Sequence, residues 1–215
     1  MKKLLVITYY WPPAGGIEVY RVVKFCKYLR TMGWDPMVLT VEGSTATASD
    51  PALVKEIQEV QPVVKAKSIE PHTVYYALTG KKGGAKPGSA VSSAPAKRST
   101  FNLGEFIRLN VFIPDARIGW LPAAVKAGKK MIDEHQLDAI FSTAPPYTVH
   151  LIASQLKDYS GLPWVADFRD PWVENYAYNT LYRFPWVKWI NERMERKVLN
   201  RADRVLVATP GQQQL

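Results

Sequence analysis

Three short stretches of this chain carry side chains that core packing alone does not require. In Asp167-Phe168-Arg169-Asp170-Pro171-Trp172, three charges crowd the end of an otherwise apolar run. There Arg169 is suited to neutralise a phosphate or hold an acceptor, and Asp170 to cap, take a proton or bind a hydroxyl. Trp172 offers a flat face to a sugar ring. An internal ion-pair network is the competing account of the same charges. In Ser142-Thr143-Ala144-Pro145-Pro146-Tyr147-Thr148, tandem prolines stiffen a turn and place hydroxyls at the start of a helix. Thr143, Tyr147 and Thr148 could bond sugar hydroxyls there, or Ser and Thr could simply cap the helix. His150, one turn further on, reads either as a structural histidine or as a catalytic one. Finally, Pro12-Pro13-Ala14-Gly15-Gly16 leads into a helix. Two residues without a Cβ let an anion approach the backbone and meet the helix N-terminal amides; a plain tight turn would use the same residues.

Some chemistry has no support. The glycine loop is neither Gly-x-Gly-x-x-Gly nor a P-loop ending in Gly-Lys-Ser/Thr. No His/Cys/Asp cluster has metal-ligand spacing, and neither Gly-x-Ser-x-Gly nor Cys-x-x-Cys occurs. We therefore expect no metal, no cofactor and no hydrolase triad.

The elements that must position these loops are legible in the periodicity. Residues 3–8 form a short apolar run of the kind found in a strand buried on both faces. From residue 17 to 32 the apolar positions Val19, Val22, Val23, Cys26 and Leu29 recur on one helical face, and Gly33 stands where helices stop. A strand over 36–41 completes a strand–helix–strand unit. Residues 51–59 and 71–79 read as helices, with a strand over 60–66 between them. Residues 80–100 have almost nothing to bury and read as a mobile surface loop or an ordering lid rather than a domain boundary. Alternation then resumes: helix 120–135 with Pro122 in its first turn, strand 137–142, helix 147–159, strand 162–168, helix 185–200 and strand 204–208. Residues 210–215 resemble the first turn of a helix, as if cut from a longer chain.

This alternation predicts an α/β fold, a Rossmann-like, doubly wound and mainly parallel sheet with helices on both faces. In such a sheet ligands sit beyond the carboxyl ends of the strands, so loops 9–16, 142–147 and 168–175 are expected on one rim.

The chain has 215 residues and 47% hydrophobic composition, enough for one good core. No run of eighteen apolar residues appears, and the short run Leu4 to Ile7 is too brief for a signal core. The lone cysteine, Cys26, cannot form an internal disulfide and falls on the apolar face of its helix, the pattern of a buried structural thiol in a reducing cytoplasm. The formal charge of +9 concentrates in residues 1–34 and 81–98. Such charge suits phosphate-bearing partners, although solubility is a sufficient cause. The helix at 185–200 carries Trp186, Trp189, Ile190, Met194 and Val198 among several basic residues. It could lie on an anionic membrane, but the expectation is that its apolar stripe faces the core.

Taken together, Tyr10 to Gly16, Ile113-Pro114-Asp115-Ala116-Arg117-Ile118-Gly119-Trp120, Ser142 to Pro146, Asp167 to Trp172, and Glu195 through Ala202-Asp203 resemble the N-terminal domains of the family 4 retaining glycosyltransferases of the GT-B fold. The resemblance covers nearly the whole chain except 43–100. It implies a nucleotide-sugar donor, a glycan or lipid-linked acceptor, and metal-independent transfer with retention at the cytoplasmic membrane face. A C-terminal donor-binding domain would be missing from these 215 residues, leaving the fragment inactive alone. On this reading Gly15 and Gly16 lie near the donor phosphates. Arg169 and Asp170 are the catalytic candidates, Arg169 taking a place that holds histidine in many relatives. Thr143, Tyr147, His150, Asp167 and Trp172 contact the acceptor. Two other classes remain open: a non-catalytic module binding membrane or phosphate, with no specific nucleic acid, and a GT-B-like sugar-nucleotide epimerase.

Overall fold

A computed structural model describes residues 1–43, 48–69, 109–175 and 184–214. The expected helix at 71–79 and loop at 80–100 lie outside the described residues.

Strand β1 (Lys2–Ile7) runs into a loop that contains a two-residue strand, β2 (Ala14–Gly15), and helix α1 (Ile17–Thr31) follows. Next come β3 (Trp34–Val41), the short β4 (Ala48–Ser49), α2 (Ala52–Glu56) and β5 (Val63–Ala66). After the 3-10 turn Ile118–Trp120, α3 spans Leu121–His135, β6 Ala139–Ala144 and α4 Thr148–Ser160. The described chain closes with β7 (Trp164–Phe168), α5 (Pro185–Arg201), β8 (Arg204–Val207) and the 3-10 turn Pro210–Gln214. Each strand and long helix expected within these residues is present to within a few positions. The exception is the β2–β4 ladder, two residues on each side and too short to leave a periodic signal.

The sheet order is β5-β3-β1-β6-β7-β8, with every neighbouring pair parallel. Strand order therefore reverses between β1 and β6. A right-handed crossover puts its helix on one face when the chain steps one way along the sheet and on the other face when it steps back. Accordingly α1 and α2 cover one side, while α3, α4 and α5 cover the other.

Strand parity builds the two cores. Leu4, Val6, Val38 and Phe141 point toward α1 and meet Val19, Val22, Val23 and Cys26. Leu5, Ile7, Leu39 and Ile140 point the opposite way, against Met131, Ile152, Leu156 and Val198. Cys26 is completely buried, and burial pushes its thiol up to about 12, the inert structural thiol its position on the helix predicted. Two helix ends use glycine because the backbone turns left-handed: Gly33 (φ 84) after α1 and Gly161 (φ 71) after α4.

Candidate functional site

The loop after β1 is held by buried hydroxyls, because its backbone leaves the ladder. Thr40 Oγ1 donates to the Tyr9 carbonyl at 3.0 Å and Thr8 Oγ1 to the Tyr10 carbonyl at 3.1 Å. Trp11 and Ala14 drop into the α1-side core. Pairing of β2 with β4 then fixes the loop's far half, aided by the Asp50 amide on the Pro13 carbonyl at 2.8 Å. This separates the two glycines. Gly15 is buried within the ladder opposite Ala48, so only Gly16 stands at the entrance of α1. Gly16 has φ 125, and its carbonyl accepts from the amides of Val19 and Tyr20. A Cβ there would lie 2.8 Å from Glu18 Oε1, so glycine is needed for both conformation and space. Glu18 folds its own carboxylate over the helix entrance, the position where an anion meets the helix dipole.

Parity decides what happens at the ends of β6 and β7. Thr143 and Asp167 are register partners on adjacent strands, on the same face as Phe141 and Val165. Thr143 Oγ1 donates to Asp167 Oδ2 at 2.7 Å. The third member comes from α1: Arg21 forks onto the same carboxylate, with Nε to Oδ2 at 3.2 Å and Nη2 to Oδ1 at 2.7 Å. Asp167 is fully buried, while the Arg21 side chain remains 30% exposed. The carboxylate beside it raises the guanidinium's pKa above its ordinary value. The guanidinium also lies 5.0 Å from the Phe25 ring centroid. Three elements thus converge at the switch point on one buried, fully bonded carboxylate that presents a cation at the surface. Arg21 escapes sequence reading because it sits mid-helix, far from any loop motif. Its only signal is an arginine flanking the buried pair Val22-Val23.

Ser142 and Trp164, of opposite parity on the same two strands, face the other way. Trp164 Nε1 donates to Ser142 Oγ at 2.8 Å, and Ser142 Oγ lies 2.8 Å from His150 Nδ1. An indole N–H can only donate, so Ser142 Oγ accepts from Trp164 and keeps its proton and a second lone pair with which to meet Nδ1. Among the described residues Nε2 has no hydrogen-bond partner. His150 is completely buried, its ring 4.4 Å from that of Phe168, and desolvation lowers its pKa to about 3. The expectation that His150 contacts an acceptor is corrected: it is a neutral core histidine on the far face of the sheet.

Tyr147 and Trp172 need the same correction. Tyr147 is completely buried and donates its hydroxyl to the Pro171 carbonyl at 2.6 Å. Its ring stacks on Trp172 at 4.8 Å and 9°, and Trp172 Nε1 donates to Asn191 Oδ1 of α5 at 3.0 Å. The flat face expected for a sugar is spent on tyrosine. Both residues instead hold the turn after β7, as does Glu195, which accepts hydrogen bonds from the Trp172 and Val173 amides and is raised by burial. Arg169 and Asp170 are left at the rim of that turn, 3.4 Å apart, with side chains 21% and 45% exposed.

Capping of α4 also differs from expectation. Asp115, from a remote loop, accepts from the Thr148 amide at 3.0 Å, the Thr148 hydroxyl at 2.8 Å and the Arg117 amide at 2.9 Å. Burial raises the Asp115 carboxyl while these donors pull it back. Thr148 is therefore occupied, and the Ile113-to-Trp120 motif is structural. Trp120 meets Tyr9 edge-on at 5.4 Å, and Arg117 lies 5.0 Å from the Tyr9 ring centroid.

A cavity of about 160 Å³ adjoins the rim, lined by residues that include Trp11, Pro13, Thr40, Gly43 and Lys65. A larger concavity of about 680 Å³ lies at the other end of the sheet, around Met1, Arg30, Lys55 and Glu59. Its charges are partly engaged in ion pairs, Lys24 and Lys27 with Glu56, and Arg30 with Glu59. Ligands of doubly wound sheets sit at the carboxyl ends, so the rim is the candidate despite its smaller volume. Among the described residues no group of His, Cys, Asp or Glu is placed to hold a metal ion.

Solved structures similar to this chain include MurG of Acinetobacter baumannii, at 11% identity and TM-score 0.51, covering 99% of this chain and 42% of that one. They also include Phytolacca americana UGT2 complexed with UDP-2fluoro-glucose and pterostilbene, at 13% identity and TM-score 0.40, covering 77% and 30%. A glycosyltransferase from Rickettsia africae matches at 11% identity and TM-score 0.38, covering 99% and 48%. The chain spans less than half the length of each of these structures. No curated protein matches it. A family model described as a glycosyl transferase 4-like domain matches residues 15–215, and the chain belongs to that family.

Proposed function

We propose that these residues form the acceptor-side half of a two-domain glycosyltransferase, which moves a sugar from a nucleotide-sugar to a glycan or lipid-linked acceptor with retention. The observation that carries this reading is the Arg21–Asp167–Thr143 cluster beside Arg169 at the switch point. Asp167 has both oxygens bonded and cannot serve as a base without releasing Arg21. Its role is to hold Arg21 by two hydrogen bonds, leaving a partly exposed guanidinium to act as the cation. Preorganised cations of this kind act on charge that develops as a nucleoside diphosphate leaves, and a fixed donor needs no reorganisation at the moment of transfer. Gly16 and the first amides of α1 add to the same field when the Glu18 carboxylate swings aside. Asp170, nearly half exposed, would bind an acceptor hydroxyl on this reading.

On this proposal a second, donor-binding half faces the rim, and the acceptor is met at the inner membrane face. In the full-length polypeptide, Arg21→Ala and Arg169→Ala should each lower kcat by about 100-fold, the typical loss of one preorganised donor, with a smaller change in donor KM. Nuclear magnetic resonance of the product anomer reads the stereochemistry. Wild-type turnover in both variants would remove the site assignment, and product formed without any acceptor would identify an epimerase instead.

A further inference from the structure

Helix α5 buries a narrower stripe than its sequence suggests. Val187, Asn191 and Val198 are buried, with Met194 packed against the same core. Trp186 and Trp189, expected on that face, are instead 49% and 57% exposed. They share the outward face with Arg193, Arg196 and Lys197, all exposed. The positions recur at i, i+3, i+7, i+10 and i+11, one continuous stripe of the helix. No acidic residue interrupts it. Glu192 pairs with Lys188 on the flank, and Glu195 turns inward to the amides of Trp172 and Val173. Among the described residues Arg193, Arg196 and Lys197 form no ion pair; Arg193 lies 5.5 Å from the Trp189 ring centroid.

We infer that this stripe seats the protein on an anionic phospholipid surface. Two large indoles about half exposed, followed by three cations without counter-charges, match the interfacial pattern of an apolar body at head-group depth with basic residues above it. A helix face is convex, which suits a plane rather than a nucleic-acid strand that needs a groove. The placement is also functional. A helix returning antiparallel to its strands starts at their carboxyl ends, and the Trp172–Asn191 bond ties the first half of α5 to the turn that carries Arg169 and Asp170. The tryptophans therefore bring the candidate acceptor rim to the lipid. This inference deepens the membrane part of the function proposed above and rests on it for the choice of lipid. Vesicle binding is read without any transfer reaction, so either can fail alone.

The test is co-sedimentation of the chain with phosphatidylglycerol–phosphatidylcholine vesicles and with pure phosphatidylcholine vesicles, together with tryptophan emission. Binding to the anionic vesicles only, with a blue shift and weakening in salt, is expected. Each basic residue at an anionic surface is worth roughly fivefold in binding, so Arg193→Glu with Arg196→Glu should weaken it roughly 25-fold or more. Trp186→Ser with Trp189→Ser should abolish the blue shift on binding, and unfolding midpoints should stay at the wild-type value for both pairs. Three results would overturn the inference: vesicle binding unchanged in both paired variants, preference of the wild type for an oligonucleotide over vesicles, or a Trp-dependent dimer that ignores vesicles.

Discussion

Lowering the pH from 7 to 5 should weaken the fold through one residue, His150. In the folded chain its pKa is lowered from the ordinary 6.5 to about 3 by complete burial. The unfolded chain therefore binds a proton below pH 6.5 that the folded chain refuses. Stability from this group is fully present above pH 6.5 and is lost progressively as the pH falls toward the folded value of about 3. Each pH unit in that window costs about 1.4 kcal/mol, which amounts to about 2 kcal/mol between pH 7 and pH 5. No solvent screening reduces the figure, because the ring is completely enclosed between α4 and the sheet. The assay is urea unfolding of wild type and His150→Gln at pH 7, 6 and 5, followed by circular dichroism. Groups common to both proteins cancel in the difference, so the wild type should lose about 2 kcal/mol more than the variant over this range. Parallel curves, or an imidazole resonance of His150 that titrates with a midpoint above pH 5, would refute the buried, neutral assignment and return His150 to the list of ligand contacts.

Removing the Arg21 guanidinium by Arg21→Ala leaves the buried Asp167 with Thr143 as its remaining partner, and loss of one member of a buried pair costs about 3–5 kcal/mol; partial exposure of Arg21 reduces the expected loss to about 2–3 kcal/mol. Asp167→Asn in the same background should recover much of it in a double-mutant cycle, and additivity of the two changes would show that the pair is not coupled. Gly119→Ala would drive a methyl group into the Ile69 carbonyl oxygen, an overpacking expected to cost about 1–3 kcal/mol in thermal unfolding; an unchanged midpoint would mean that the contact is not kept in solution. Asp115→Ala strips the remote cap from α4 and should lower stability by about 1–2 kcal/mol, with faster amide exchange confined to Thr148 and the rest of the first turn, whereas uniform exchange along α4 would argue against a capping role.

Much of the fold is legible in the chain because its signals are local. Buried runs such as Leu4 to Ile7, the 3.6-residue recurrence through Val19, Val22, Val23 and Cys26, and the stop at Gly33 depend on neighbours a few residues away. The rim is legible for a related reason: strand–helix alternation implies a parallel sheet, and a parallel sheet collects its loops at one end. The β2–β4 ladder is not, since its partners are separated by more than thirty residues and only two residues pair on each side.

Which residues act together was decided by the tertiary structure. Thr143 and Ser142 are adjacent in sequence, yet strand parity sends one to Asp167 and Arg21 and the other to Trp164 and His150 on the opposite face. Tyr147 and Trp172 have the composition of a sugar platform but stack on each other, because the turn after β7 packs down onto α4 and α5. Trp186 and Trp189 follow a core-like spacing but face outward, because α5 has only one side against the sheet and Val187, Asn191 and Val198 already fill it. Sequence by itself determined the order of elements and the end of the sheet where chemistry can gather, since periodicity and chain direction are properties of the single chain. Only the tertiary structure decided that Arg21 enters the rim while His150 leaves it, since both outcomes depend on partners brought together across the sheet.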